Sequence, residues 1–392
     1  MFDTSRLVNS ADAVVRTRAR SARRSARRVP LSPFALVAVV VLACPRGLPA
    51  EHVERAAETT PFVRGVGLGL FASDPEYDYG VLLDEIRAHG ATDVLIALSW
   101  YQDDVRAHEM RPRTGYSPST KTLERTLAQA RAKGLRVAVL PIVRLTHRTR
   151  DEWRGRIAPT AGVDAWFLHY RAYLMEVATI AARHDVARLS VGSELLSLER
   201  HEAHWRALID DVRGVFRGKL LYSANWDHFE PIRFWDALDE VGVTAYFELS
   251  HDEGTRDRAS FVAAWTRPRI DLLRLKRVTN KPLLLTEVGY PSRTSAAIAP
   301  WDETRRSPVD VALQATLYDA FCEAFRGQAV VDGFYFWNWF GFGGAEDTTY
   351  TPRQKPAAER LRACLADRRW DAPAEAPPHP PLDAAPLYMP GR

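Results

Sequence analysis

Two glutamates, Glu194 and Glu287, are the residues of this chain best placed to do chemistry, because each closes a run of apolar residues. Glu194 ends the segment ARLSVGSE, and Glu287 lies within KPLLLTEVGYPS. A buried carboxylate without a partner is costly, so each glutamate must be paired or reactive. One such residue alone is more often half of a structural ion pair. Two of them on two strands favour hydrolysis of a glycosidic bond, with one as acid and the other as nucleophile or base.

Aromatic and amide side chains at the ends of other apolar runs indicate a sugar as the substrate. Sugars present apolar C–H faces and hydroxyl rims, which aromatic rings and amides complement. A single tryptophan is more often part of a core. It is the occurrence of aromatic and amide residues at several strand ends that favours a sugar. The predicted substrate-binding residues are Trp100, Gln102, Asn225, Tyr246, Trp337 and Trp339.

The elements that must position these residues are eight apolar runs, separated by segments with apolar residues at helical spacing. Runs that are continuously apolar suit strands covered on both faces, as in a parallel sheet. Eight such β-α units predict a single-domain α/β fold, the (β/α)8 TIM barrel. A doubly wound open sheet is the alternative, but no glycine-rich phosphate loop follows the first run. The runs lie at residues 63–70, 93–101, 136–143, 187–194, 219–226, 240–247, 282–290 and 330–339.

In such a barrel the functional residues collect at the carboxyl ends of the strands. Glu194 ends the fourth predicted strand and Glu287 the seventh. We therefore expect the two carboxylates to face each other across the mouth of the barrel. The acid is expected to have a raised pKa, and the nucleophile to stay ionised.

Several segments resemble those of a known group of enzymes, glycoside hydrolase clan A, and within it glycoside hydrolase family 113, the β-mannanase family. The resemblance covers approximately residues 62–362 and depends on the order of its motifs. These are SWYQ, WRGRI, VGSEL, YSANWD, TAYFEL, LLTEVGYPS, FYFWNW and YTPRQKPAAE.

The resemblance implies that Glu194 is the general acid/base and Glu287 the nucleophile of a retaining hydrolase. It also implies that Tyr246 orients Glu287 and that Trp337 forms the floor under the sugar. Many clan members have asparagine before the acid/base, where it contacts the sugar 2-hydroxyl. Ser193 stands at that position here, so Asn225 is the candidate partner for this hydroxyl.

The favoured activity is endo-hydrolysis of a β-linked polysaccharide, with β-1,4-mannan as the favoured substrate and no cofactor. Other specificities on the same barrel stay open: a β-glucanase, a β-mannosidase, another β-glycosidase or a transglycosylase. A non-catalytic, surface-attached carbohydrate-binding protein is the alternative from a different class. It is disfavoured because such proteins are expected to lose a catalytic carboxylate, and both are present.

The basic charge of the chain is concentrated at its beginning. Residues 1–50 carry nine arginines and two aspartates, a net charge of +7, whereas the whole chain is +4 and residues 51–392 are therefore −3. The later arginines and lysines are interspersed with acids, which disfavours a nucleic-acid surface. An arginine-rich stretch before the short apolar run Phe34–Cys44 predicts an export signal, or an N-terminal membrane or lipid anchor through Cys44.

The predicted organisation is thus a leader at 1–50, a linker at 51–61, the barrel at 62–368 and a proline-rich tail at 369–392. The protein is expected to be secreted, periplasmic or attached to the cell surface. Cys322 and Cys364 fall on the last two predicted helices, where either two buried thiols, slightly favoured, or a disulfide is compatible with the sequence. No group of cysteines and histidines has zinc-ligand spacing, so no metal site is predicted.

Overall fold

The fold is a closed barrel of eight parallel strands, as the sequence predicts. A computed structural model describes residues 61–371; the predicted leader and most of the linker and tail lie outside this range. Strand β1 pairs with both β2 and β8, which closes the sheet. The barrel strands are β1 (Val63–Gly69), β2 (Asp93–Gln102), β3 (Arg136–Leu145), β4 (Arg188–Ser193), β5 (Lys219–Ala224), β6 (Glu240–Thr244), β7 (Leu283–Val288) and β8 (Gly333–Phe336).

Helices surround the barrel, and a short strand, Met110–Arg111, pairs antiparallel with the end of β2. Side-chain caps define some helix starts: Ser119 accepts from the N–H of Thr122, and Asp310 from that of Leu313. The α-helices of the described range are α1 (Gly80–Ala88), α2 (Thr120–Ala132), α3 (Val163–Arg183), α4 (Leu196–Glu199), α5 (Glu202–Val215), α6 (Arg258–Ala264), α7 (Thr266–Thr279), α8 (Val311–Phe325) and α9 (Pro356–Leu365).

Register shifts mark the carboxyl end of the barrel. The pairing of β4 with β5 shifts between Ser190 and Ser193, and that of β7 with β8 shifts between Leu285 and Val288. Such irregularities bend a strand and redirect its side chains. Both shifts lie beside a glutamate of interest, so the strands depart from regular pairing where those side chains must point into the mouth.

A disulfide joins α8 to α9 through Cys322 and Cys364, whose Cα atoms are 5.9 Å apart. The slight preference for two free thiols was therefore wrong. The bridge closes a segment with a sequence separation of 42, which stabilises the folded chain by about 2–4 kcal/mol. Within residues 61–371, no helix is both long and apolar enough to cross a bilayer.

Candidate active site

Glu194 leaves the end of β4 in a conformation that directs its carboxylate across the barrel. Its φ of 52° is left-handed, which is unfavourable for a residue with a Cβ. Two contacts hold it there. Its N–H donates to the carbonyl of Ser223 (2.9 Å), and its Oε1 accepts from the hydroxyl of Thr244 (2.8 Å). The side chain is only 8% exposed, so these contacts fix a buried carboxylate.

Arg154 supplies the positive charge of the site. It opens the short 3-10 turn Arg154–Arg156, between β3 and α3, and forms an ion pair with Oε2 of Glu194. Burial would lower the pKa of Arg154, but the charges of Glu194 and Glu287 together raise it. Arg154 therefore interacts with both carboxylates. The next residue must be glycine, because a Cβ at Gly155 would collide with the ring of Trp153.

Glu287 lies on β7, three strands along the barrel from Glu194. The hydroxyl of Tyr246 donates to its Oε2 (2.7 Å), which is the contact that the resemblance implied. Its Oε1 is buried and has no hydrogen-bond partner in the described part of the chain. A buried, unpartnered carboxylate oxygen is costly to keep and is chemically available.

The pKa of Glu287 is raised to about 8, first by burial and then by the charge of Glu194. Arg154, the Tyr246 hydroxyl and Arg144 oppose this rise. The sequence predicts a raised pKa for the acid, Glu194, whereas in the structure the raised pKa is that of Glu287. The contacts explain the difference: Glu194 holds the ion pair with Arg154, whereas Glu287 receives one hydrogen bond.

A buried hydrogen-bonded chain lies behind Glu194. The N–H of Leu195 donates to the hydroxyl of Tyr222 (2.9 Å), which donates to Oε1 of Glu199 (2.7 Å). His228 Nδ1 lies 2.8 Å from the other oxygen of Glu199. The hydrogen bond to Glu199 raises the pKa of His228, and burial raises that of Glu199. This chain fixes the backbone on the far side of the strained Glu194.

Trp337 follows β8 and is 8% exposed. Two glycines make room for it. A Cβ at Gly67 would lie 2.9 Å from the Trp337 ring, and a Cβ at Gly289 would lie 2.7 Å from its carbonyl oxygen. The peptide bond between Trp337 and Asn338 is cis. The placement at the carboxyl end of the last strand agrees with a position at the mouth.

Two of the predicted substrate-binding residues are engaged inside the protein. Gln102 is 1% exposed; its Nε2 donates to the carbonyl of Asp104 (2.7 Å), and its Oε1 accepts from Trp166 Nε1 (2.9 Å). Trp339 is also 1% exposed, and its Nε1 donates to Glu85 Oε2 of α1 (2.7 Å). Both side chains are buried in this structure, and their contact with substrate stays a prediction.

Trp100 lies on the same face of β2 as Gln102 and stacks on Tyr173 of α3, with ring centroids 4.6 Å apart. It is half-buried between barrel and helix, and its contact with substrate stays a prediction. Asn225 follows β5, is 7% exposed and donates its amide to Asp227. Its contact with a sugar hydroxyl stays a prediction.

Arg154 and Thr244 are the residues of the site that sequence reasoning missed. Arg154 belongs to WRGRI, a motif noted only as part of the resemblance, and its distance of 40 residues from Glu194 hides the ion pair. Thr244 is the first residue of TAYFEL, at the end of β6. Their places within these two motifs were the available signal for both residues.

A closed (β/α)8 barrel with two buried glutamates at the carboxyl ends of β4 and β7 defines the protein as a glycoside hydrolase. The family model of Glycoside Hydrolase Family 113 matches residues 80–352. The chain therefore belongs to glycoside hydrolase family 113. No curated protein matches the chain.

Solved structures similar to this one include members of the same family. A GH113 β-1,4-mannanase complex is 23% identical with a TM-score of 0.71, over 78% of this chain and 99% of that one. The GH113 β-mannanase of Alicyclobacillus acidocaldarius, in complex with ManMIm, is 26% identical with a TM-score of 0.68, over 78% and 98%. A GH5_18 protein of Streptomyces cattleya, in complex with Manβ1-4GlcNAc, is 17% identical with a TM-score of 0.55, over 81% and 83%, and shares the fold.

Proposed function

We propose that this glycoside hydrolase is a retaining endo-β-1,4-mannanase. The observation that carries the proposal is the pair of buried glutamates that share Arg154, with Tyr246 bonded to one of them. Membership of family 113 and the β-mannanases among the similar structures favour mannan as the substrate.

In the proposed reaction, Glu287 attacks the anomeric carbon through its unpartnered Oε1 while Glu194 protonates the leaving glycosidic oxygen. The bond from the anomeric carbon to that oxygen breaks, and a glycosyl ester forms on Glu287. Glu194 then removes a proton from water, which attacks the ester and restores Glu287. The hydrogen bond from Tyr246 holds the other oxygen of Glu287 in place during both steps.

The reaction needs one proton on the pair, located on Glu194. In the structure, Arg154 pairs with Glu194, and burial raises the pKa of Glu287. Burial and the charge of Glu194 therefore favour Glu287 as the site of the shared proton before substrate binds. We propose that substrate binding moves the favourable contact of Arg154 toward Glu287, so that the shared proton passes to Glu194.

Aromatic side chains are proposed to hold the polysaccharide. Trp337 is the candidate floor under the sugar that reacts. Trp301, which is 40% exposed, stacks on Trp226 with ring centroids 5.0 Å apart. An exposed tryptophan supported from behind is a suitable platform for a further sugar ring.

Incubation with β-mannan, β-glucan and xylan, followed by product sizing, tests the proposal. An endo-mannanase releases oligosaccharides of mixed length from mannan alone. Release of single mannose units indicates a β-mannosidase, longer products than the substrate indicate a transglycosylase, and cleavage of glucan or xylan rejects the substrate. Binding without products favours a carbohydrate-binding protein. NMR of the first anomer formed distinguishes retention from inversion.

We also propose that the protein acts outside the cytoplasm. The arginine-rich segment and the apolar run Phe34–Cys44 support export, as does the disulfide between Cys322 and Cys364, because disulfides persist in oxidising compartments. Cell fractionation with N-terminal sequencing tests this proposal. Accumulation of the full-length chain in the cytoplasm would contradict it, and lipid on Cys44 would identify the anchor.

A further inference from the structure

Three metal-ligating side chains, His108, Glu109 and His169, meet on the wall of the barrel and share no residue with the candidate active site. Each offers one ligand atom, and these atoms all lie within 4.8 Å of one another. The imidazole rings of His108 and His169 have centroids 5.4 Å apart. We propose that these three residues form a binding site for a zinc-like divalent transition metal that stabilises the wall of the barrel mouth.

The ligand types select this class of metal. Zinc accepts imidazole nitrogen and carboxylate oxygen, and three protein ligands leave a fourth position for water. Calcium and magnesium prefer oxygen ligands alone, so two imidazoles disfavour them. A tetrahedral ion about 2.1 Å from each ligand sets the ligand atoms about 3.4 Å apart, so side-chain rotations of about 1 Å complete the site.

The backbone that presents His108 and Glu109 is already fixed on both sides. After them, the short strand Met110–Arg111 pairs with the end of β2. Before them, the carbonyl of Val105 accepts the N–H of Ala158 (2.7 Å). Two ligands therefore come from a segment of defined position, which lowers the entropy lost when an ion binds.

The third ligand comes from α3, and a second contact fixes its distance from that segment. His169 lies three residues after Trp166 on the helix, so both side chains leave neighbouring positions of one face. Trp166 donates to the buried amide of Gln102, which donates in turn to the carbonyls of Asp104 and Ala107. The hydrogen bonds of Gln102 thus hold the helix against the segment that carries the other two ligands.

No competing partner occupies the ligand atoms. Within residues 61–371, no hydrogen bond or ion pair joins the side chain of His108, Glu109 or His169 to another residue. Other histidines of the described chain are paired with carboxylates, such as His147 with Asp103 and His204 with Asp164. The cluster therefore retains lone pairs for an ion.

The site borders a cavity of about 680 Å³ at the carboxyl ends of β2 and β3, which His108 and Glu109 help to line. The same lining includes Tyr101 and Thr146, residues at the mouth of the barrel. An ion at the cluster would connect this wall to α3. It would stabilise the wall without entering the hydrolytic reaction, so the inference is independent of the proposed activity.

The test is titration of the chelator-treated full chain with ZnCl2 at pH 7.5, followed by calorimetry and thermal unfolding. We expect one equivalent to bind and to raise the Tm by about 5–10 °C at a hundredfold excess over Kd. Cobalt(II) in place of zinc should give the visible absorption bands of a tetrahedral site with nitrogen ligands.

Variants identify the site. His169→Ala and His108→Ala should each weaken binding by about 100-fold or more and abolish the zinc-dependent rise in Tm, with the fold checked by circular dichroism. His184→Ala, at the C-cap of the same helix, is the matched control and should bind as the wild type does. The inference is overturned if zinc does not bind, or if binding persists in the His108→Ala/His169→Ala double variant.

Discussion

Buried charges are paired differently at the two ends of the barrel. At the amino ends, the first residues of five strands form one network: Arg136 bonds to Asp93 (2.7 Å), and Glu240 bonds to both Arg188 (2.8 Å) and Lys219 (2.9 Å). Arg188 also lies 3.7 Å from Asp93. Each carboxylate there has two cationic neighbours, although Oδ1 of Asp93, 3.7 Å from Arg188, accepts no hydrogen bond within the described residues.

At the carboxyl ends, the charges are incompletely paired. Glu194 forms an ion pair with Arg154 and a hydrogen bond with Thr244, whereas Glu287 accepts a hydrogen bond from the Tyr246 hydroxyl and its Oε1 accepts none within the described range. The comparison teaches that a buried glutamate at a strand end indicates function only when its pairing is incomplete. In a barrel, this difference coincides with the division between stability at the bottom and chemistry at the top.

The largest expected effect is a loss of activity that occurs on substitution at the carboxyl end and not at the amino end. Glu287→Gln should lower kcat by about 10⁴- to 10⁶-fold, because the amide cannot form the glycosyl ester. Steady-state kinetics on mannan measures this loss. Glu240→Gln, the matched change at the other end, should leave kcat of the folded protein within a few-fold; an equal loss in both variants would refute the distinction.

The second prediction concerns the stability of the fold and the amino end of the barrel. Glu240→Gln removes the shared partner of Arg188 and Lys219 and should lower the free energy of unfolding by about 3–5 kcal/mol. Urea unfolding of this variant beside Glu287→Gln measures the contrast. A smaller loss for Glu240→Gln than for Glu287→Gln would show that the network at the amino end does not stabilise the fold.

Substitution of Arg154 tests whether its positive charge at the mouth of the barrel contributes to the reaction. Arg154→Ala should lower kcat by about 10²- to 10³-fold, because Glu194 and Glu287 lose their common cation. Arg156→Ala, an exposed change in the same turn, is the control and should retain activity. If kinetic assays give the same kcat for both variants, Arg154 has only a structural role.

The smallest effect depends on pH. Because the pKa of Glu287 is raised from 4.5 to about 8, the folded state binds more protons than the unfolded state between these values. Stability from this group is therefore present below pH 4.5 and is lost as pH rises toward 8. Glu287→Gln should stabilise the protein by about 1–3 kcal/mol more at pH 8 than at pH 5. Unfolding at both pH values measures it; an equal change at both would reject the raised pKa.

The barrel was predictable because continuous apolar runs indicate buried strands. The two glutamates were predictable because a charged residue at the end of such a run is unusual. The hydrogen bond from Tyr246 to Glu287 was predictable only through the resemblance. Trp337 and Trp339 were predicted together because they are two residues apart, but Trp339 is buried and bonded to Glu85 of α1. The strand ends at Phe336, so the alternation of side chains no longer applies there.

Other parts of the site depend on contacts that local sequence does not contain. Trp100 and Gln102 share one face of β2, and the sequence does not say whether that face meets α3 or the barrel mouth. The contacts with Tyr173 and Trp166 place it against the helix. Arg154 reaches its glutamate from a loop, where periodicity carries no information.

The most direct test of the central claim is to trap the glycosyl-enzyme. Treatment with an activated 2-fluoro-mannoside, followed by peptide mass mapping, should show one added glycosyl unit on the peptide that contains Glu287, with loss of activity in proportion to labelling. The Glu287→Gln variant should remain unlabelled. A label on Glu194, or products of inverted configuration without a label, would contradict the assignment of the two glutamates.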